Sequence, residues 1–248
     1  LRNNVFMEAF NILDSEQKCI ISLFKQYVGG KGREFLYLFR FGHIFRKRKI
    51  KNYLNKYTHA KLHLGSGSRK LKGFLNSDIY GTLPVNITKK LPFNDCQFEL
   101  IYSSHVIEHI HKREFKRFLK ESYRILKPGG INIIATPTIE NIAKFWYCRD
   151  QIDSEMIEIM RDRYSKFMDE NCFTPSQLIN HMMRNYGHKY LYDRHFMQEL
   201  GKEAGYSVIK DIPNFDVPDA EIKKYLVANK PRRWDIITET FLFIKNNN

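Results

Sequence analysis

Cysteine is scarce and scattered: Cys19, Cys96, Cys148 and Cys172 are the only four in 248 residues, and no two form a C-x-x-C pair. That spacing offers neither a disulfide framework nor a cysteine-rich zinc site, so a reducing, cytoplasmic setting is expected. No apolar run approaches the roughly 20 residues of a membrane span. The first ten residues lack the charged start and apolar centre of a signal peptide. They also lack an initiator Met, so the numbering is expected to begin inside a longer or trimmed chain. There is no internal repeat and no low-complexity tract. What remains, 43% hydrophobic and 14% aromatic residues, is too apolar for a disordered tail. The length suits one α/β domain with extensions.

Acid is also in short supply. Asp and Glu number 27 against 41 Lys and Arg, a net charge of +14. Much of the excess sits in Arg46-Lys47-Arg48-Lys49-Ile50-Lys51, with more at Arg69, Lys70 and Lys72. Such runs read either as solvated faces of a Lys-rich chain or as contacts to an anionic partner. That partner would be nucleic acid or, through the run from Arg46 to Lys51, a weakly held anionic surface.

Residues 1–57 read as a helical lead-in broken at Gly29, Gly30 and Gly32, with residues 58–248 as the main domain. Strands are expected at 61–64, 74–79, 85–87, 98–103, 131–136, 206–212 and 238–245. Between the fourth and fifth lies a helix with Phe115, Phe118, Leu119, Ser122 and Leu126 on one face, stopped by Lys127-Pro128-Gly129-Gly130. Residues 139–195 interrupt the rhythm as a helical, aromatic cap with Trp146, Tyr147, Tyr164 and Phe167. Strand, helix and strand in this order predict an α/β fold, a mostly parallel sheet of about seven strands flanked by helices.

In such sheets ligands bind beyond the carboxyl ends of the strands. Gly65-Ser66-Gly67 lies at one such end and Asp78 at the next, where a carboxylate can accept from two ribose hydroxyls. A bare G-x-G is equally a tight turn. The third glycine of a dinucleotide fingerprint is absent, which argues against a pyrophosphate cofactor such as NAD.

Read together, five segments resemble the class I S-adenosylmethionine-dependent methyltransferases over about residues 60–138. They are Leu62-His63-Leu64-Gly65-Ser66-Gly67, Asn76-Ser77-Asp78, Leu91-Pro92-Phe93, the run from Phe98 to His109, and the run from Arg124 to Gly130. The run from Gly187 to Asp193, with Ala204-Gly205-Tyr206, is similar to a later part of the same family. The resemblance is nearest to the branch found with surface-polysaccharide genes, whose acceptors are taken to be sugars. It implies a Rossmann-like fold, S-adenosylmethionine as cofactor and a glycan hydroxyl as acceptor. It further implies that Gly65, Ser66 and Gly67 pass under the methionine and ribose, that Asp78 holds the ribose, that Asn86 and Ile87 meet the adenine, and that Ser103, Ser104 and His105 meet the methionine amine. The sequence departs from the family at three places: His63 stands for an acidic residue, Arg69 for a glycine and Asn86 for an aspartate.

His105-Val106-Ile107-Glu108-His109 is expected to begin a helix after the fourth strand, with His105, Glu108 and His109 on one face. The letters match the H-x-x-E-H pattern of inverted zinc peptidases, whose structural context is lacking here. They also resemble the E-x-x-E-H of metal-dependent O-methyltransferases, including those acting on plant small RNAs and in quinone synthesis. That resemblance makes His105, Glu108, His109 and His188 the metal-ligating and catalytic set, with Mn, Mg or another divalent ion, and keeps an RNA ribose as the alternative acceptor. A metal-free site with one histidine as general base is the other option. His43, His59, His63, His111, His181 and His195 show no comparable grouping and are expected to be packed or exposed. Tyr190, Tyr192 and Asp193 are the candidates for the acceptor site, since an aromatic plane suits the apolar face of a sugar.

Overall fold

A computed structural model describes residues 42–79, 83–147, 174–185, 187–212, 216–229 and 238–247. Its elements run α1 (Gly42–Lys56), β1 (Lys61–Leu64), β2 (Phe74–Ser77), β3 (Phe98–Ser104), a 3-10 turn (Ile107–His109), α2 (Lys112–Ile125), β4 (Leu126–Pro137), α3 (Ile139–Tyr147), α4 (Pro175–Arg184), α5 (Arg194–Glu203), β5 (Val208–Ile212), α6 (Ala220–Asn229) and β6 (Thr238–Ile244). The sheet order is β2-β1-β3-β4-β6-β5. Strands β1 to β4 pair in parallel, and β6 inserts antiparallel between β4 and β5. Strand order therefore reverses at β1, which puts its carboxyl end at the position where open α/β sheets leave a crevice.

Alternate residues of the central strands feed two cores, as the period of two requires. Ile101, Ile134, Phe241 and Phe243 join Leu62, Leu64 and the α2 residues Phe115, Phe118 and Leu119 on one face. Leu100, Tyr102, Ile133 and Leu242 join Phe74, Val217 and Ile222 on the other. Helices thus cover both faces of the sheet. The expected α2 stripe is buried as read, and the helix stops at Ile125 with Leu126 extended at its end.

Three expectations are corrected. No strand forms at 85–87, so the described sheet has six strands and not seven. Only an isolated bridge joins Asp78 to Pro84. Pro84 has no N–H to extend it, and Asn86 Oδ1 takes both the N–H and the hydroxyl of Thr88 at 2.9 and 2.8 Å, curling the chain into a turn. The run from His105 to His109 does not open an α-helix: His105 sits at φ +53° and Ile110 is extended, leaving one 3-10 turn. The run from Lys127 to Gly130 is drawn into β4 at the cost of a register shift opposite Phe98 and Leu100. Of the expected lead-in, 1–41 lies outside the described residues, and so do 148–173 of the expected cap, with Tyr164 and Phe167. Within the cap, α3 packs against α4.

His63, on β1, illustrates how the sheet treats a polar side chain. It is 3% exposed, Nδ1 lies 3.0 Å from Asn76 Oδ1, and the ring packs against Tyr102. Burial pushes its pKa from 6.5 down to about 4, against the opposing pull of Asn76 and Asp78. The unfolded chain therefore binds a proton that the folded chain refuses between those two values, so stability falls as the pH drops through that window. The loss attributable to His63 should be about 3 kcal/mol. Urea denaturation at neutral pH and at about pH 4.5 should show it. His63→Leu should remove most of the difference.

Candidate functional site

Five chain segments meet at one edge of the sheet. Register places Leu64 beside both Ser77 and Ser103, Ser104 beside Ala135, and Pro137 beside Thr238. Because β6 runs antiparallel, its first residue arrives where β1, β2, β3 and β4 end.

The glycine loop follows β1. Gly65 and Gly67 have φ of +68° and +50°, a region that other residues rarely adopt. Gly67 N–H donates to Asp78 Oδ2 at 2.7 Å, and Ser66 N–H to the Ser77 carbonyl at 2.9 Å, so the loop is clasped to the end of β2. A Cβ on Gly65 would lie 2.3 Å from Val106 Cγ2. The 105–109 turn therefore rests directly on the glycine loop, which joins the two halves of the site. Ser103 is buried and its hydroxyl has no hydrogen-bond partner among the described residues. Ser104 is half-buried beside it, and Ile87 is buried, whereas Asn86 is exposed and spends its carbonyl oxygen on its own turn.

The second half is a carboxylate among imidazoles. Glu108 is fully buried. Its Oε1 lies 3.1 Å from His105 Nδ1, and its Oε2 accepts from Thr136 Oγ1 at 3.2 Å. Burial pushes the Glu108 carboxyl up, but the hydrogen bond and charge of His105, with a smaller pull from His109, hold it below its ordinary range overall. The backbone carbonyl of Glu108 accepts from Lys189 and Tyr190, which fastens the 188–190 segment over the turn. In this way His188 comes from far along the chain to stand edge-on to His109, ring centres 4.9 Å apart. One ligand atom from each of Glu108, His109 and His188 lies within 4.8 Å of the others.

His105, expected as a fourth ligand, is not in that set. Its Nδ1 faces Glu108, and its Nε2 lies 3.2 Å from Thr238 Oγ1. The positive φ turns the residue toward the sheet edge, where it orients Glu108. His188 Nδ1 donates to the Met182 carbonyl, which fixes the neutral tautomer with its lone pair on Nε2. Burial lowers the His188 pKa, with the Met182 bond and Glu108 pulling the other way, so the imidazole tends to stay neutral and able to donate that pair.

His181, expected to stand alone, is buried on α4 and close enough to His188 for their charges to interact. The seven-residue spacing across the end of a helix was its one signal in the sequence. Thr136 and Thr238 were missed as well. They reach the site through sheet register, which leaves no local mark. The acceptor candidates fare unevenly. Tyr190 is half-buried beside the cluster, packed on Tyr192 and Phe196. Tyr192 is fully buried against Phe115, and Asp193 caps α5 by accepting from Phe196 N–H at 2.7 Å. Packing and capping occupy these last two, which leaves Tyr190 as the member of the trio with surface to offer.

Residues 62–134, from β1 into β4, match the family described as Methyltransferase domain. Solved structures similar to the chain include an S-adenosylmethionine-dependent methyltransferase from Archaeoglobus fulgidus, at 13% identity and TM-score 0.43, covering 84% of this chain and 100% of that one. The YcgJ protein of Bacillus subtilis matches at 11% identity and TM-score 0.41, covering 82% and 100%. A Haemonchus contortus phosphoethanolamine N-methyltransferase in complex with S-adenosyl-L-methionine matches at 13% identity and TM-score 0.40, and there the chain spans about half (49%) of the other protein and 76% of its own length is covered. Residues 62–134 thus have the sequence pattern of a methyltransferase domain.

Proposed function

We propose that the chain methylates an oxygen, the hydroxyl of a glycan, with a divalent ion held by Glu108, His109 and His188. The observation that carries this reading is the position of the cluster. A fully buried carboxylate and two imidazoles stand on the turn that Val106 packs against Gly65. An amine or a stabilised carbanion needs little help to attack a sulfonium methyl, whereas a hydroxyl is a poor nucleophile at neutral pH and needs a base or a cation beside it. The sugar is supported by the likeness of the motifs to the surface-polysaccharide branch.

S-adenosylmethionine supplies the electrophilic methyl group. The glycine loop fits it through the missing Cβ atoms and the left-handed backbone, and Asp78 fits the ribose. A carboxylate has about four lone-pair positions, so the bond to Gly67 N–H leaves capacity for sugar hydroxyls. Asp78→Ala should therefore weaken cofactor binding by about 1.5–3 kcal/mol, roughly 10- to 150-fold. Asp78→Asn should lose less, since it can still accept from Gly67. Titration calorimetry measures both, and unchanged affinity in both would remove Asp78 from the cofactor site.

The donor set fits a divalent ion as well. Glu108 brings a buried negative charge, and the Met182 bond to His188 is the outer-shell contact that metal-bound histidines make. Two nitrogens and an oxygen favour Mn, Fe, Co, Ni or Zn and still permit Mg. A bound cation lowers the pKa of a coordinated hydroxyl. His105 and Thr136 hold Glu108 in place, and Met182 holds His188, so the ligands are oriented before anything binds.

Incubation with labelled cofactor and a panel of neutral glycans and RNAs, followed by product analysis, tests the acceptor. Label on a sugar oxygen, with turnover nearly independent of salt, is expected. Turnover on RNA that falls by orders of magnitude from low to physiological salt would favour the ribose of RNA instead.

A further inference from the structure

The fold gathers two basic segments that the sequence keeps apart. Helix α1 carries no acidic residue. Its Ile50 and Tyr53 are buried and its Leu54 packs on the same core, a spacing that defines the inward face. Lys47, Arg48, Lys49, Lys51, Asn52, Asn55 and Lys56 are left exposed. Tyr53 and Arg46 lay the helix over the end of the β1–β2 loop and the turn that follows β2. The Tyr53 hydroxyl accepts from Lys61 N–H at 2.9 Å and donates to the Gly73 carbonyl at 2.8 Å, while Arg46 Nη1 donates to the Pro84 carbonyl at 3.3 Å. The loop adds Lys70 and Lys72, both exposed. Lys49 and Lys70 are close enough to repel, which adds to the effect of burial in lowering the Lys49 pKa.

No ion pair among the described residues involves Lys47, Arg48, Lys51, Lys70 or Lys72. Like charges held together repel, so a face of this kind is matched by an anionic partner. It also borders the site: Asp78 bridges to Pro84, which Arg46 contacts, and the next residue, Ile79, is a large apolar side chain left 52% exposed.

The kind of partner follows from what accompanies the cations. A single-stranded nucleic-acid groove interleaves its cations with aromatic rings on which bases stack. Between Arg46 and Lys56, the part of α1 whose side chains are described, the exposed residues are Lys, Arg and Asn. In the sequence, the residues immediately before α1 are Phe35-Leu36-Tyr37-Leu38-Phe39-Arg40-Phe41. Aromatic and aliphatic residues running straight into a polybasic segment have the composition that partitions to the boundary between lipid headgroups and acyl chains, with the cations on the anionic headgroups.

We propose that the outward face of α1, together with Lys70 and Lys72, docks on an anionic lipid bilayer and sets the mouth at Gly67 and Asp78 beside the membrane surface. The acceptor would then be presented from that surface. The docking itself stands whether the methylated group is a sugar or another hydroxyl, and whether or not an ion assists.

The test is co-sedimentation of the full chain with vesicles of equal parts phosphatidylcholine and phosphatidylglycerol, and with vesicles of phosphatidylcholine alone. Binding to the mixed vesicles only, released by high salt, is expected. The double variants Lys47→Glu with Arg48→Glu, and Lys70→Glu with Lys72→Glu, should each weaken that binding by at least roughly tenfold. All four positions are exposed, so circular dichroism and cofactor affinity should be unchanged. Equal binding to both kinds of vesicle overturns the proposal, and so does loss of binding in the helix variant with none in the loop variant. An oligoribonucleotide that strips the protein from the vesicles at equal phosphate concentration overturns it in favour of nucleic acid.

Discussion

Glu108→Gln should lower methyl transfer by on the order of 10²- to 10⁴-fold, with S-adenosylmethionine affinity changed by no more than a few fold. The side chain is fully buried and faces His105 through one oxygen and Thr136 through the other. An amide of the same shape must turn its NH₂ toward one of these two groups, and it carries no charge to offer an imidazole or an ion. The loss is confined to the acceptor half because the backbone carbonyl that fastens Lys189 and Tyr190 is untouched. Steady-state rates with calorimetric cofactor titration separate the two halves. Full activity in this variant would show that the carboxylate serves packing alone.

Gly65→Ala should be the most destabilising single methyl group that can be added to the site. It would bring a Cβ to 2.3 Å from Val106 Cγ2 in a residue whose φ is +68°. Left-handed backbone costs a residue with a Cβ about 1–2 kcal/mol, and overpacking adds about 1–3 kcal/mol. Denaturant melts should therefore show a loss of roughly 2–5 kcal/mol, accompanied by weaker cofactor binding because the loop must move. The double variant Gly65→Ala with Val106→Ala should recover the packing part and leave the backbone part. If the double variant is no more stable than the single one, the contact between loop and turn is not what holds the site together.

Much of this arrangement was legible in the residues. Period-two burial in β3 and the apolar stripe of α2 are strong local patterns, and the glycines and Asp78 lie at strand ends where any α/β sheet opens. What escaped was set by contacts between distant segments. A helix across 105–109 was the natural reading of i, i+3, i+4 spacing. His105 N–H instead bonds the Ala135 carbonyl at 2.9 Å, tying the residue to the sheet and leaving room for only one turn. The supposed strand at 85–87 lost to a local competitor, the Asn86 side chain. Thr136 and Thr238 look like ordinary strand residues until β4, parallel to β3, sets Thr136 beside Glu108 and the antiparallel β6 sets Thr238 beside His105. The grouping of His188 with His109 was reached through a family likeness, since nothing local links two residues so far apart.

The central claim is that the cluster of Glu108, His109 and His188 acts on the acceptor with a divalent ion, while the loop at Gly65 and Asp78 holds the cofactor. Its most direct test is methyl transfer to the accepted glycan before and after removal of divalent ions by chelator, with cofactor affinity measured on the same samples. Transfer should vanish on chelation and return with Mn or a neighbouring ion, and S-adenosylmethionine should bind equally well throughout. Undiminished transfer in chelator would contradict the account and leave a metal-free imidazole as the base.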